Sequence, residues 1–407
     1  MTQSSMGSGH RIRHLGHCDM GGRPDGTQVI VHNQYAYVGH AFNEGVAIID
    51  VADPTKPTAV GFIGAPPNTR ASHIQVHGDL LLVVNAANVW KLQQYGQRED
   101  YFGKPLADSF RRTDFPFSAG VRVYDISRPT APREIAFLPI DGIGAHRLWY
   151  VGGRYATVSA HFDGFTDTIL AVLDLANPER PEIVSRCWLP GMNRAEGETP
   201  TWSAGQRFAC HHAIVHGNLA YGTWRDGGFT IHDIADPARP RLLSYREGKG
   251  HTHTALPIPG RGLAFVCDEA TTTFCANGLA HIRSFDVSRP ENPIELGLFP
   301  VPSEENFCKK GGGFGPHNFH ENRPDSFQSE TLLFATYHNA GVRVYDTSDA
   351  TAPKEIAYFV PRPPERIVDI RPGASAVTQS TDVYVDKNGI MYVTDPNAGL
   401  NILQYEG

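Results

Sequence analysis

The sequence predicts an all-β fold, a single seven-bladed β-propeller made of four-stranded antiparallel blades. The first observation is composition, because 41 Gly and 30 Pro with only 19% charged residues favour many short strands over helical bundles. The second is a long phrase that occurs twice. The stretch "GVRVYDISRPTAPREIAFLPI" at 120–140 returns as "GVRVYDTSDATAPKEIAYFVP" at 341–361.

The repeated phrase has two fixed points, an Asp and a Pro seven positions after it. Six copies carry the aspartate, namely Asp50, Asp125, Asp174, Asp233, Asp286 and Asp346. The matching prolines are Pro57, Pro132, Pro181, Pro240, Pro293 and Pro353. A seventh copy begins at "GLNILQYEG", where the chain ends. The spacing of the copies is typical of propeller blades and not of helical solenoids.

Each blade is predicted to contain an inner strand, a second strand, the strand that carries the Asp, and a fourth strand after the Pro. The seventh blade lacks its fourth strand, and the segment 11–19 ("RIRHLGHCD") has the matching pattern. We expect this segment to be the outer strand of the last blade, because closing the ring removes an exposed edge. Residues 1–407 would then form one domain.

At the level of these phrases the chain resembles the LVIVD-repeat family, as in "GVAIIDVADPTKPTAVGF" and the related copies over nearly the whole sequence. The resemblance implies a β-propeller. It implies no particular activity, because the family is defined by strands and turns.

Composition also limits the partners that we expect. The net charge of −7 argues against nucleic acid and acidic membranes, which require clustered Lys and Arg. No run of 18 apolar residues and no apolar N-terminal leader is present, so neither a membrane span nor a secretory signal is predicted. The six cysteines lack a CxxC pair and are expected to be reduced thiols of a cytoplasmic protein.

A column of histidines appears when the blades are aligned on the Asp and the Pro. It contains His73, His146, His212, His253 and His317 at the start of the inner strands. In the first and seventh blades Gln28 and Asp382 take this place, and a register error of one residue would exchange His212 with its neighbour His211. Inner strands surround the propeller channel, so these imidazoles should converge at one mouth.

Converging imidazoles need partners, because a buried cluster that gains charge as pH falls is costly. We therefore predict a divalent transition metal (Fe, Zn, Mn or Cu) bound by three or four of the five histidines. Glu269, Asp268 or Asp382 would orient the imidazoles. The alternative is that duplication copied a structural histidine.

Candidate acid–base residues come from the loops that return to the same mouth, where His40, His161 and Asp395 also fall. They are Glu269, His338, Tyr337 and Arg225. A nucleophilic cysteine at Cys210 or Cys308 is a weaker alternative. The sequence has no GxSxG, HExxH or dinucleotide-binding motif.

The long loops are also predicted at this mouth. The insertion 86–119 is rich in aromatic residues, which would either cover a pocket as a lid or anchor the insertion onto the propeller. Together these features predict a metal-dependent enzyme for a small oxygenated or aromatic organic substrate. The reaction would be that of a lyase or hydrolase, or of an O₂-using oxidoreductase. The alternative is a non-catalytic scaffold that binds a peptide or protein on its loop-rich face.

Overall fold

The computed structural model describes the backbone of residues 2–4 and the whole of residues 6–407, and its regular structure is dominated by antiparallel β-strands. Three strands precede the repeats: β1 (Thr2–Ser4), β2 (Gly7–His10) and β3 (Ile12–Cys18). The first repeat unit contains β4 (Gly26–His32), β5 (Tyr35–His40), β6 (Gly45–Asp50) and β7 (Thr58–Gly64).

The second and third units follow the same order, with a helical insertion in the second. The second unit contains β8 (Thr69–Arg70), β9 (Ile74–His77), β10 (Leu80–Ala87), β11 (Gly120–Asp125) and β12 (Arg133–Pro139). Its insertion forms α1 (Val89–Gln93), α2 (Arg98–Phe102) and α3 (Leu106–Ser109). The third unit contains β13 (Gly144–Trp149), β14 (Tyr155–His161), β15 (Ile169–Asp174) and β16 (Glu182–Cys187).

The remaining units complete the chain. The fourth contains β17 (Phe208–His216), β18 (Leu219–Arg225), β19 (Phe229–Asp233) and β20 (Arg241–Arg246). The fifth contains β21 (His251–Ile258), β22 (Leu263–Glu269), β23 (Ile282–Asp286) and β24 (Ile294–Leu298). The sixth contains β25 (Leu332–Thr336), β26 (Val342–Asp346) and β27 (Lys354–Pro361), and the seventh contains β28 (Asp382–Val385), β29 (Ile390–Asp395) and β30 (Gly399–Tyr405).

The repeated aspartate ends the third strand of each unit by forming a local turn. In all six copies its Oδ1 accepts a hydrogen bond from the backbone N–H two residues later, at 2.8–2.9 Å. The repeated proline fixes the entry to the fourth strand, which begins at the next residue in every copy. The Asp–Pro phrase is therefore a connector that turns the chain between two adjacent strands.

Side chains of the inner two strands connect each unit to the next. Gln28 Oε1 accepts the N–H of Ile74 at 2.8 Å, and Thr157 Oγ1 donates to the carbonyl of Ala213 at 2.9 Å. The same kind of bond joins the seventh unit to the first, where Thr381 Oγ1 donates to the carbonyl of Gly26 at 3.0 Å. These contacts give a propeller-like repeat in which the first and last units are neighbours.

Residues 11–19 lie mainly in β3, which is paired antiparallel with β30. Ile12 is opposite Tyr405 and Cys18 is opposite Leu400, so the two ends of the chain share one sheet. Strand β2 extends the sixth unit by pairing with β27. The hydrophobic core lies between neighbouring units: one cluster contains Tyr37 from the first and Leu81 from the second, and another contains Val158 and Trp224.

The insertion 86–119 is held in place by its aromatic side chains. Trp90, Tyr101, Phe102 and Phe110 are buried together, and the Arg207 guanidinium lies 4.5 Å from the Tyr101 ring centroid. Phe115, by contrast, is exposed. No helix in the described part of the chain is long and apolar enough to cross a membrane.

The prediction of six reduced thiols is wrong, because Cys275 and Cys308 form a disulfide. The two cysteines are 33 residues apart and come from different loops, so their spacing gave no indication of the bond. The predicted cytoplasmic location rested partly on reduced thiols and loses that support, since disulfides persist mainly in oxidising compartments.

Candidate functional site

A cavity of about 100 Å³ lies where the starts of the inner strands meet the long loops. Six imidazoles line it: His73, His146, His211, His253, His317 and His338. Four guanidiniums also line it, those of Arg70, Arg98, Arg225 and Arg371, together with the carboxylate of Glu269. Trp90, Tyr101 and Phe102 of the insertion form part of the wall, so these aromatics both anchor the insertion and bound the cavity.

Irregular pairing of the inner strands directs the histidines towards the cavity. His146 and His253 are each the extra residue where the register of the inner strand shifts against the second strand. His211 lies in a similar irregular stretch between Phe208 and His212. A β-bulge bends its strand and changes the direction of a side chain, which explains why residues from different units face one space.

The structure places His211 on the cavity and His212 behind it. His212 is buried beside the Trp149 ring, with Nδ1 3.9 Å from Glu321 Oε1. Neighbouring residues of a strand point to opposite faces, so the shift of one position exchanges the two imidazoles. Gln28 and Asp382 likewise point away, each accepting a backbone N–H, from Ile74 and Val29 respectively.

The rings that line the cavity form a continuous row. The centroid distances are 4.9 Å for His73–His146, 4.6 Å for His146–His211 and 3.7 Å for His211–His253. The row continues with His253–His317 at 4.3 Å and His317–His338 at 4.7 Å. Five of these histidines come from inner-strand starts, and His338 comes from the loop after β25.

Hydrogen bonds fix which nitrogen of two imidazoles carries the proton. His317 Nδ1 lies 2.5 Å from the carbonyl of Thr381, and His211 Nδ1 lies 2.7 Å from the carbonyl of His253. Carbonyls only accept, so both Nδ1 atoms donate and both Nε2 atoms keep a lone pair. His253 Nδ1 lies 3.0 Å from the Thr254 hydroxyl, which is 3.3 Å from Asn318 Oδ1. When this hydroxyl donates to Asn318, it accepts from His253 Nδ1, and Nε2 of His253 then keeps a lone pair as well.

His146 has the opposite tautomer. Its Nδ1 accepts a hydrogen bond from Arg70 Nη2 at 3.0 Å, because a guanidinium can only donate. The proton of the neutral ring is therefore on Nε2, which is buried and has no hydrogen-bond partner in the described part of the chain. His146 consequently offers a donor where His211, His253 and His317 offer acceptors.

Glu269 brings a carboxylate to two of these acceptors. Its Oε2 lies 3.9 Å from His253 Nε2, and its Oε1 lies 3.8 Å from His317 Nε2. Oε2 also accepts a hydrogen bond from Arg225 Nη1 at 3.0 Å. Burial raises the pKa of Glu269, but the charge of the adjacent Arg225 guanidinium acts in the opposite direction, and the net pKa is lowered to about 2. The group is an anion.

The three side chains His253, Glu269 and His317 offer ligand atoms that all lie within 4.8 Å of one another. Donor atoms bound to one transition metal at about 2.0–2.2 Å lie no more than about 4 Å apart, so small rotations would bring them into place. Burial lowers the pKa of His253 well below its usual value and that of His317 to about 4, so both rings are neutral. Neutral imidazoles and a carboxylate are a donor set that fits Zn or non-haem Fe.

The loop residues predicted as acids and bases divide into two groups. Arg225, Glu269 and His338 line the cavity, and both ring nitrogens of His338 are buried without a hydrogen-bond partner in the described residues. Tyr337 does not line it, because its side chain packs against Phe314 and its hydroxyl lies 3.4 Å from a backbone carbonyl outside the cavity. Asp268 does not orient an imidazole, since it binds Arg283 and Thr252.

Neither of the two cysteines considered as nucleophiles is available for that role. Cys210 is fully buried, which raises the pKa of its thiol well above the usual value, and Cys308 is part of the disulfide. The disulfide has a different role near the cavity. It joins the loop that follows Glu269 to the loop that precedes His317.

Of the arginines that line the cavity only Arg225 was predicted from the sequence; Arg70, Arg98, Arg371 and Tyr101 were not predicted as site residues. Burial raises the pKa of Tyr101, but the charges of Arg207, Arg225 and Arg70 act in the opposite direction and the net pKa is lowered. These side chains come from the loops and the insertion, outside the column that the repeats reveal. The one signal available was the mixture of Arg with aromatic residues in 86–119.

Comparisons with known proteins identify the repeats and not an activity. The profile of the LVIVD repeat matches residues 25–63 and 212–245, which fall in the first and fourth units. No curated protein gives a significant match.

Two solved structures align with the chain at low identity. A functionally unknown protein from Desulfotomaculum acetoxidans DSM 771 aligns with a TM-score of 0.51 and 12% identity, over 82% of this chain and 85% of its own. The computationally designed Ika8 protein aligns with a TM-score of 0.49 and 9% identity, over 96% of this chain and 99% of its own. The first likeness concerns the fold alone.

Proposed function

Because the chain carries LVIVD repeats, which define strands and turns but no site, we propose its function from the side chains of the cavity. We propose that it is a metal-dependent enzyme acting on a small oxygenated or aromatic organic molecule. We further infer that the repeat units form one seven-bladed β-propeller spanning the chain. The hydrogen bonds that run from unit to unit and from the seventh back to the first support this architecture.

The observation that carries the proposal is the convergence of His253, Glu269 and His317 in one cavity. Two neutral imidazoles and one carboxylate leave further positions of a metal open for water or substrate. His211 is a candidate additional ligand, because its Nε2 keeps a lone pair and its ring is 3.7 Å from that of His253. His146 is a poorer candidate than the repeat pattern suggests, because its proton lies on Nε2. His73 remains a proposed ligand at the end of the row.

A divalent transition metal in this position would polarise a carbonyl, lower the pKa of bound water or bind O₂. The chain's own residues supply the remaining requirements. Arg225 holds the Glu269 carboxylate in position through its 3.0 Å hydrogen bond. His338 and the Tyr101 hydroxyl are the candidates for proton transfer to or from the substrate. Trp90, Tyr101 and Phe102 restrict the access of water from the side of the insertion.

We expect the purified protein, prepared without an affinity His-tag, to hold about one transition metal per chain. In the double variant His253→Ala/His317→Ala the metal should be lost, since two of the three converging ligands are removed. Glu269→Gln should weaken metal retention by about tenfold or more, because it removes the anionic ligand. Elemental analysis after dialysis against a chelator is the measurement, and it also identifies the metal.

The matched control is His77→Ala, which removes an imidazole that is 41% exposed and lies at the far end of β9. This variant should retain the metal fully. Retention of the metal by the His253→Ala/His317→Ala protein would show that the ion is bound elsewhere. A protein with less than about 0.2 equivalents of every transition metal, and with no gain in Tm on adding Fe, Zn, Mn or Cu, would refute the metal site.

One observation favours a second function, the binding of a peptide or protein partner. Several large apolar side chains that are exposed belong to the loops around the cavity: Phe115, Phe274, Leu279, Ile367 and Ile370. Exposed apolar groups that cluster on one face are typical of interaction sites. In contrast to the enzyme, a scaffold of this kind would not require stoichiometric metal, so the elemental analysis distinguishes the two functions.

A further inference from the structure

The arginines of the cavity differ in whether a carboxylate neutralises them. Arg225 is paired with Glu269, and Arg371 forms a bidentate pair with Asp369 at 2.6–3.0 Å. Arg70 and Arg98 form no ion pair within the described residues. Arg70 donates to His146 and also hydrogen-bonds to Tyr101, and the Arg98 guanidinium lies 5.6 Å from the Phe102 ring centroid.

Burial makes a cation without an ion pair costly, and of the two Arg98 is buried whereas Arg70 is half-buried. Arg98 is only 9% exposed and its Nε has no hydrogen-bond partner among the described residues, and the same is true of Arg70 Nε. Burial, reinforced by the charge of Arg371, lowers the pKa of Arg98 to about 10, so the group still carries its charge near neutral pH. An isolated buried charge destabilises a fold, and proteins normally supply a partner.

The Nε2–H of His146 adds a third donor without an acceptor. It is buried in the same cavity, and its direction is fixed by the hydrogen bond from Arg70 to Nδ1. The same cavity is lined by His253, His317 and the Glu269 carboxylate. It therefore combines the proposed metal ligands with donors that have no acceptor among the described residues.

We propose that Arg98, Arg70 and His146 form a binding site for the oxyanion group of a small organic acid, which is the substrate of the proposed metal centre. That the ligand is a substrate rests on the proposed function. That an oxyanion binds here does not depend on it. Guanidiniums bind carboxylate or phosphoryl oxygens with good geometry, and His146 adds a neutral donor. A cavity of about 100 Å³ restricts the ligand to a small molecule.

The test uses the full-length protein after removal of metal, with binding followed by calorimetry and by the change in Tm. The probes are acetate, oxalate and benzoate as carboxylates, inorganic phosphate as the alternative oxyanion, and acetamide as a neutral isostere of acetate. We expect at least one oxyanion to raise the Tm and acetamide to have no effect. Comparison of the carboxylate and phosphate arms identifies the group that the substrate carries.

Arg98→Gln should weaken binding of that oxyanion by about tenfold or more, and Arg70→Gln should also weaken it. In the absence of ligand, Arg98→Gln should raise the Tm, because it removes a buried charge without a partner. Arg371→Gln should lower the Tm, because it leaves Asp369 unpaired. The exposed Arg112, which lies on the same insertion and pairs with Asp163, provides a control, and Arg112→Gln should leave binding unchanged.

The proposal is overturned if no oxyanion binds the metal-free protein, or if Arg98→Gln and Arg70→Gln both bind it as tightly as the unaltered chain. Its failure can be separated from failure of the metal site. Arg98→Gln should keep the metal, and the His253→Ala/His317→Ala protein should lose the metal but still bind the oxyanion. Loss of metal in Arg98→Gln would show that this arginine supports the metal site instead.

Discussion

Single side chains determine the chemistry of the cavity through the direction of their hydrogen bonds. His317 and His146 occupy similar places in two units, but Thr381 O accepts from one ring and Arg70 donates to the other. The first imidazole therefore presents a lone pair and the second a proton. An imidazole that can bind a metal and an imidazole that can donate a hydrogen bond to a substrate therefore differ only in the group that is hydrogen-bonded to Nδ1.

His320 gives a prediction for the pH dependence of stability. Its Nε2 donates to the carbonyl of Phe327 at 2.7 Å and its Nδ1 accepts from the N–H of Val385 at 3.1 Å, so the neutral ring is fully bonded. Burial lowers its pKa from 6.5 to about 4. The unfolded chain binds a proton first as pH falls, so the contribution of His320 to stability is complete above pH 6.5 and declines towards pH 4.

We expect His320→Gln to reduce the slope of unfolding free energy against pH by about 1 kcal/mol per pH unit between these limits. Urea unfolding at a series of pH values measures the slope. Above pH 6.5 the curves of the variant and the unaltered protein should run parallel. Parallel curves throughout the acid range would contradict the assignment.

At the scale of elements, the disulfide between Cys275 and Cys308 connects two loops that bound the site. Glu269 precedes the first loop and His317 follows the second, so the bond limits how far a carboxylate and an imidazole of the proposed metal site can separate. Connecting two ordered loops reduces the conformational freedom that binding must otherwise remove.

Thiol titration of the denatured, unreduced protein should find four free thiols of the six, and reduction should release the other two. The variant Cys275→Ser/Cys308→Ser should fold but retain the metal less tightly than the unaltered chain. Cys187→Ser is the control, because this residue lies on β16 and outside the cavity. Equal metal affinity in the two serine variants would show that the disulfide does not support the site.

The elements that repeat could be predicted from the sequence, because each copy supports the alignment of the others. Residues outside the repeats gave no comparable pattern. The recurring Asp and Pro indicate the turn between the third and fourth strands, and the structure contains that turn in all six copies. The repeats also led to His146, His253 and His317. They could not distinguish His211 from His212, because a bulge changes which face a side chain points to and has no spacing signature.

Arg225 was predicted as a site residue, but Arg70, Arg98 and Arg371 could not be, for a different physical reason. Arg98 and Arg371 come from loops of unrelated sequence, and their proximity depends on the folded course of both loops. The disulfide could not be predicted for the same reason, because its two cysteines come from different loops. Whether an arginine is paired is visible only when all its neighbours are placed, so the anion site required the structure.

At the scale of the whole molecule, stability depends on the contact between the two ends of the chain. Removal of β3 would expose the edge of β30 and the buried side chain of Ile12 would be lost from its cluster. Removal of β1 and β2 would affect only strands added outside β27. Deletions of residues 1–10 and 1–19 differ by nine residues. Comparing them separates the contribution of β3 to stability from that of β1 and β2.

We expect deletion of residues 1–10 to lower the Tm modestly, and deletion of residues 1–19 to lower it much further or cause aggregation through the exposed strand edge. Scanning calorimetry and size-exclusion chromatography measure the two effects. Equal Tm values for the two shortened proteins would show that the β3–β30 pairing does not hold the molecule together.

The pairing of β3 with β30 also sets the order in which a newly made chain can mature. Ile12 is made 393 residues before its partner Tyr405, so this sheet cannot assemble until nearly all of the repeats have been made. During that interval β3 lacks its native neighbour. Chaperones that shield this segment during synthesis would therefore increase the yield of folded protein.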